Sequence, residues 1–228
     1  MADPEPPQPA LGGATEVLLL RHAATSWNDQ QRRLGWADHP LTAAGRAAAQ
    51  AWGRESRLQF AAVVASDLRR ARETANVIAA GGGLDRPVEL AGLREQDQGV
   101  WTGMTKAEIK ARWPERFHER PRRPVGGEAP EVVLARVLAT LAEVAKAHPG
   151  RRVLAITHSQ VIRILERALG APASPVPHLA GRWVTVIAPT DRGGDPSPPA
   201  IHPGAPTAGR RPVSTDRPGL GPIAVSGR

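Results

Sequence analysis

Two stretches decide the fold: Glu16-Val17-Leu18-Leu19-Leu20-Arg21-His22 and Arg152-Val153-Leu154-Ala155-Ile156-Thr157-His158. Each is a short, continuous apolar run that ends abruptly in a histidine. Runs of this length that are apolar at every position read as strands buried on both faces. Each histidine then stands at the carboxyl end of a buried strand, where open α/β sheets place their ligands. Arg21 precedes the first histidine. An imidazole can attack phosphorus, and a guanidinium can hold phosphate oxygens in a planar fork. One anion-binding catalytic pocket is therefore expected above the sheet.

Working outward, strands and helices alternate. Thr42 is placed to cap a helix through Ala43–Trp52. Phe60–Ala65 reads as a second strand, after which Ser66 or Asp67 is expected to cap a helix reaching about Ala80. Pro87–Leu90 reads as a short strand, and one helix is expected around Thr105–Trp113. Val133, Leu134, Val137, Leu138, Leu141 and Val144 recur at helical spacing between Pro130 and His148. After the second histidine, Val161, Ile162, Ile164, Leu165 and Leu169 mark a helix ending at Gly170, and Trp183–Ile187 reads as a last strand. The expected fold class is α/β, a three-layer α/β/α sandwich around a mostly parallel sheet. Residues 15–190 form its domain. Residues 1–14 read as a flexible arm and residues 191–228, rich in Pro, Gly, Ser and Arg, as a disordered tail.

Composition excludes several chemistries. The 228 residues include no cysteine, so disulfides, thiolate nucleophiles and Cys-based zinc sites are ruled out. No apolar run approaches the roughly 20 residues of a membrane span. The acidic, proline-rich start lacks the basic and apolar regions of a secretory signal, so a cytoplasmic location is expected. The net charge of +8 raises nucleic-acid binding as an alternative. The absence of tyrosine, the scarcity of phenylalanine and the scatter of Lys and Arg disfavour it. A pocket for a small anionic substrate accounts for part of the excess.

Five motifs in order resemble the histidine phosphatase superfamily, the phosphoglycerate-mutase-like group. They are Arg21-His22-Ala23 with Thr25 and Asn28; Ser66-Asp67-Leu68-Arg69-Arg70-Ala71-Arg72-Glu73-Thr74-Ala75; Leu93-Arg94-Glu95 with Gly99-Val100-Trp101-Thr102-Gly103; Gly126-Gly127-Glu128; and Thr157-His158-Ser159. The resemblance spans about Glu16 to Ile187. It implies a metal-independent phosphomonoesterase without a cofactor. His22 is implied as the nucleophile that carries the phosphoryl group. Arg21, Arg70 and His158 are implied as ligands of its oxygens, Asn28 as a further donor, and Glu95 as proton donor. Two positions depart from the family pattern: Ala23 and Ser159 stand where it has glycine, and a requirement for φ > 0 at either would introduce strain.

Within the family the resemblance separates phosphatases from mutases by the segment after the acid. Mutases carry a longer insertion there, and only residues 96–125 lie between Glu95 and Gly126 here, so hydrolysis is expected over mutase-type phosphoryl transfer. A non-catalytic phosphate-binding domain is a further alternative. Arg112, Arg116, Arg120, Arg122 and Arg123 accumulate in that segment. Arg122 and Arg123, with Ser159, are expected to bind substrate, the arginines through a second anionic group. The expected partner is a small phosphorylated substrate, not a membrane or a nucleic acid, with a homodimer left open. The remaining histidines, His39, His118, His148, His178 and His202, are expected on the surface or in loops.

Overall fold

The computed structural model describes residues 13–56, 59–119, 123–171, 174–187 and 200–203. A six-stranded sheet runs in the order β3-β2-β4-β1-β5-β6. Its strands are β1 (Thr15–Arg21), β2 (Ala62–Ala65), β3 (Val88–Glu89), β4 (Arg152–Thr157), β5 (Gly181–Ile187) and β6 (Ala200–Pro203). The first four are parallel, and β5 and β6 are antiparallel to their neighbours. The mixed α/β architecture is the one expected from the alternation of apolar runs. In the stretch expected to be a disordered tail, residues 200–203 instead extend the sheet as β6, pairing with Val184–Ile187. The rest of the tail, and residues 1–12 of the arm, lie outside the described residues.

The helices are α1 (Ser26–Asp29), α2 (Ala43–Glu55), α3 (Arg69–Gly82), α4 (Lys106–Arg112), α5 (Pro114–His118), α6 (Pro130–Ala147) and α7 (Ser159–Ala168). Because side chains alternate along a strand, β1 feeds two cores. Val17 and Leu19 pack with Val137, Leu141, Ile162 and Leu165 on the α6–α7 side. Leu18 and Leu20 pack with Ala49, Trp52, Ala75 and Ile78 on the α2–α3 side. Val153, Leu154, Ala155 and Ile156 of β4 are each 0% exposed, as a central strand covered on both faces requires. No described helix is long and apolar enough to cross a membrane.

Thr42 accepts from the Gly45 N–H, as expected of an N-cap. Helix α3, however, begins later than Ser66 or Asp67: its N-cap is Leu68, which has no capping side chain. The orphan donor at its start is satisfied from a distant loop, with Asp38 Oδ1 accepting from Arg69 N at 2.8 Å. Asp67 is instead ion-paired with Arg94. Helix α5 follows α4 after a break at Trp113, with Pro114 as its first residue.

Register sets the site. Arg21 lies opposite Thr157 in the β1–β4 ladder, and Ala65 lies opposite Ile156 in the β2–β4 ladder. The next residues along, His22, His158 and Ser66, therefore leave the sheet together. Helix α2 reaches the loop after His22 through Gly45. A Cβ there would stand 2.4 Å from the Ala24 carbonyl oxygen. Gly45→Ala is expected to destabilise the fold by about 1–3 kcal/mol despite alanine's better helix propensity. Denaturant melts check this, and a stabilised variant would contradict the close approach.

Candidate active site

The chain turns out of β1 into a loop whose every turn is bonded. Thr25 caps α1 in a reciprocal box with Asn28, and Ala23 N donates to Thr74 Oγ1 at 3.0 Å. These contacts hold His22, 2% exposed, beneath a cavity of about 380 Å³. His22 Nδ1 lies 2.7 Å from the Ala23 carbonyl oxygen, which can only accept. Nδ1 therefore carries the proton, and Nε2 keeps its lone pair. Arg70 Nε donates to that nitrogen at 3.3 Å. Neither Ala23 nor Ser159 is strained. Among the described non-glycine residues only Gln31 and Leu179 have φ > 0, and Ser159 is the first residue of α7.

Arg70 is fully buried in the first turn of α3. Its NH1 donates to Ala37 O at 2.9 Å and its NH2 to Gly35 O at 2.8 Å, so its fork cannot swing away. Burial lowers its pKa to about 10, which leaves it charged at neutral pH. Arg21 donates through NH1 to Val176 O at 2.8 Å, while its buried Nε has no partner. His158 is 0% exposed, 5.1 Å from His22 between ring centroids, and neither of its ring nitrogens has a partner. Unbonded buried polar atoms are costly, and Arg21 and His158, on either side of His22 in the chain's two histidine motifs, leave three of them. Burial, then the charge of Arg70, holds both His22 and His158 well below the usual histidine range, so both are neutral.

Glu95, 8% exposed, lines the same cavity. Its Oε1 accepts from Gln96 N at 2.9 Å. Burial pushes its pKa up, against the opposing pull of Arg70, the Gln96 amide and Arg21. Its backbone is pinned by groups the sequence reading did not assign to the site. Glu95 O accepts from Trp36 Nε1 at 2.8 Å and from Arg136 NH2 at 2.9 Å. Arg136 also grips Glu128, which accounts for the Gly-Gly-Glu motif as a brace on the acid's loop. Thr157 Oγ1 donates to Leu93 O at 2.9 Å and ties that loop to β4.

The structure gathers Arg21, His22, Arg70, Glu95 and His158 as expected, with Asn28 and Ser159 on the cavity wall. Asn28 spends its Oδ1 on Thr25, which leaves its amide NH2 for the cavity. Arg123 is not brought there. It is exposed and ion-paired with Glu131 at 2.7 Å, while Arg122 lies outside the described residues. His178, expected on the surface or in a loop, does lie in a loop, and that loop brings it to the cavity wall. Its Nδ1 is 3.0 Å from His22 O, and its ring is 5.6 Å from that of His22. Burial, then Arg21, lowers its pKa to about 4. No strand ends at His178, so periodicity offered no signal for it.

Buried imidazoles, a locked arginine pair and a sequestered carboxyl above a parallel sheet define a phosphate-handling α/β enzyme site. The chain belongs to the histidine phosphatase superfamily (branch 1), whose family model matches residues 17–194. It is 34% identical over 162 residues to phosphoglycerate mutase-like protein 4 of Arabidopsis thaliana, covering 67% of this chain and 70% of the relative. It is 32% identical over 161 residues to a metal-independent phosphoserine phosphatase of the same plant, covering 66% and 67%. The native structure of a mycobacterial glucosyl-3-phosphoglycerate phosphatase superposes with a TM-score of 0.66 at 29% identity, covering 76% of this chain and 90% of that one.

The neutral histidines couple stability to acidity. An unfolded chain takes up protons near pH 6.5 at positions that the folded site keeps neutral. The stability these groups contribute is therefore present above pH 6.5 and lost as pH falls. For His178 that window runs from 6.5 down to about 4. Urea unfolding at pH 7.5 and pH 5.0 is expected to show a loss at the lower pH that is smaller in His178→Asn by about 2 kcal/mol. An unchanged pH difference would contradict the neutral, buried ring.

Proposed function

We propose that the chain is a phosphomonoesterase that hydrolyses a small phosphorylated metabolite through a phosphohistidine on His22. The observation that carries this is the unprotonated Nε2 of His22, a residue of the cavity wall that Arg70 contacts and beside which Arg21 lines the cavity with a buried, unpartnered Nε. A neutral imidazole with its lone pair outward is a competent nucleophile, and its second nitrogen is already tied down. Arg21 and Arg70 supply positive charge, and neutral His158 an N–H donor, to the three non-bridging oxygens, where charge accumulates during transfer. Arg70 Nε, now on His22, would pass to an oxygen of the incoming phosphate. Asn28 adds a neutral donor, and Ser159 offers a hydroxyl at the start of α7.

Glu95 protonates the departing alkoxide as the P–O bond breaks and Nε2 bonds to phosphorus. The resulting carboxylate then removes a proton from water, which attacks phosphorus and returns Nε2 to its starting state. Its upward pKa shift suits the first role and the nearby arginine charges suit the second. Water as acceptor, rather than a retained sugar acid, is supported by the short 96–125 segment and by phosphatase-named relatives. Mutase-type transfer is the second reading, favoured by the name of the Arabidopsis mutase-like relative.

Glu95→Gln should lower kcat for alkyl phosphates by about 10²–10⁴. With 4-nitrophenyl phosphate, whose leaving group needs no proton, the same variant should release one burst of nitrophenol. A labelled phosphoenzyme should then accumulate, because water is no longer activated. His22→Ala should show neither burst nor label. Phosphate release without any label on the histidine would overturn the covalent route, and phosphoglycerate interconversion faster than phosphate release would favour the mutase reading.

A further inference from the structure

The cavity wall holds two guanidiniums that the phosphate cradle does not use, Arg32 and Arg33. Arg33 lines the cavity, and its buried Nε has no hydrogen-bond partner. No ion pair is formed by its side chain among the described residues. Arg21 and Arg163 also bury an Nε without a partner, but other arginines differ. Arg94, Arg136, Arg152 and Arg182 are similarly sheltered, and each is paired with a carboxylate. The adjacent Arg32 is also engaged, donating to Gly103 O at 2.6 Å. A sheltered guanidinium without an acceptor is a cost the fold carries.

The backbone aims Arg33 deliberately. Gln31, two residues earlier, is held at φ 56, a conformation that a side chain bearing a Cβ rarely adopts. Arg33 itself is fixed on both sides of its peptide, its N–H donating to Met104 O at 2.9 Å and its carbonyl accepting from Gly103 N at 2.8 Å. Strain upstream, a clamped backbone and an unsatisfied side chain in one cavity wall point to a missing acceptor. Lys106 adds a second positive charge at the exposed rim. Burial lowers the pKa of Arg33, and Glu95, the one acidic residue in the lining, opposes that shift.

We infer that Arg33 forms a second anion subsite, so that the preferred substrate is a phosphomonoester carrying a further carboxylate or phosphate. This rests on the phosphomonoesterase reading above. It moves the second-anion role from the 112–123 arginines to the turn after α1. His22→Ala protein binds without turning over, which separates this subsite from the chemistry. Titration calorimetry on that protein compares 3-phosphoglycerate with glycerol phosphate, which has a hydroxymethyl group in place of the carboxylate. A parallel pair, glucose 1,6-bisphosphate and glucose 6-phosphate, asks the same of a second phosphate.

The doubly anionic member of one pair is expected to bind about 10- to 100-fold more tightly. Adding Arg33→Met should remove that preference, and Arg33→Lys should restore part of it. The pair with the larger effect names the second anion. Equal affinities within both pairs, or a preference that survives Arg33→Met in a protein with an unaltered melting curve, overturn the subsite. The phosphatase reading falls separately, if the unmodified protein releases phosphate from no ester.

Discussion

A guanidinium sealed against an imidazole is the constraint from which the rest of the site follows. Arg70 is completely buried, and its three nitrogens are committed to Ala37 O, Gly35 O and His22 Nε2. Burial disfavours a positive charge on His22, and the fixed charge of Arg70 at that distance adds to the effect. The result is a ring that stays neutral at the pH where a free histidine begins to charge. The same charge acts on His158 and opposes the upward drift of Glu95. One residue thus biases His22, His158 and Glu95 together.

Positioning is achieved by the sheet and by braces behind it. Parallel pairing of β1 with β4 brings the two histidines side by side without any direct bond between them. The acid arrives differently. Glu95 sits on no strand or helix, and its loop is held by Arg136 from α6, Trp36 from the α1–α2 connection and Thr157 from β4. Arg136 in turn is aligned by Glu128. Strand ends and a helix start supply His22, His158 and Arg70, while a tethered loop supplies Glu95.

The strands were legible because their apolar runs are short, unbroken and flanked by turns, and β1 and β4 appear where those runs lie. His22, Arg70, Glu95 and His158 were legible because each sits in a motif with fixed spacing. What escaped was everything decided by long-range satisfaction of polar groups. The cap on α3 comes from Asp38, about 30 residues away in sequence, so local propensity pointed to the wrong residue. His178 is the loop histidine it was expected to be, but nothing nearby in sequence reports that its Nδ1 reaches His22 O at the cavity wall. Arg123 looked like a substrate ligand by charge alone, and Glu131 had already claimed it. Arg33 was invisible as a site residue for the converse reason: its distinction is a partner it lacks.

The protonation state of one ring decides whether these pieces amount to a nucleophilic site. Nitrogen-15 resonances of protein labelled in its histidine rings, assigned by comparison with His22→Asn, report that state directly. His22 should appear as the neutral Nδ1–H tautomer with a bare Nε2 throughout the range from pH 8 to pH 5.5. An imidazolium signal at pH 7, or a proton resident on Nε2, would contradict the account.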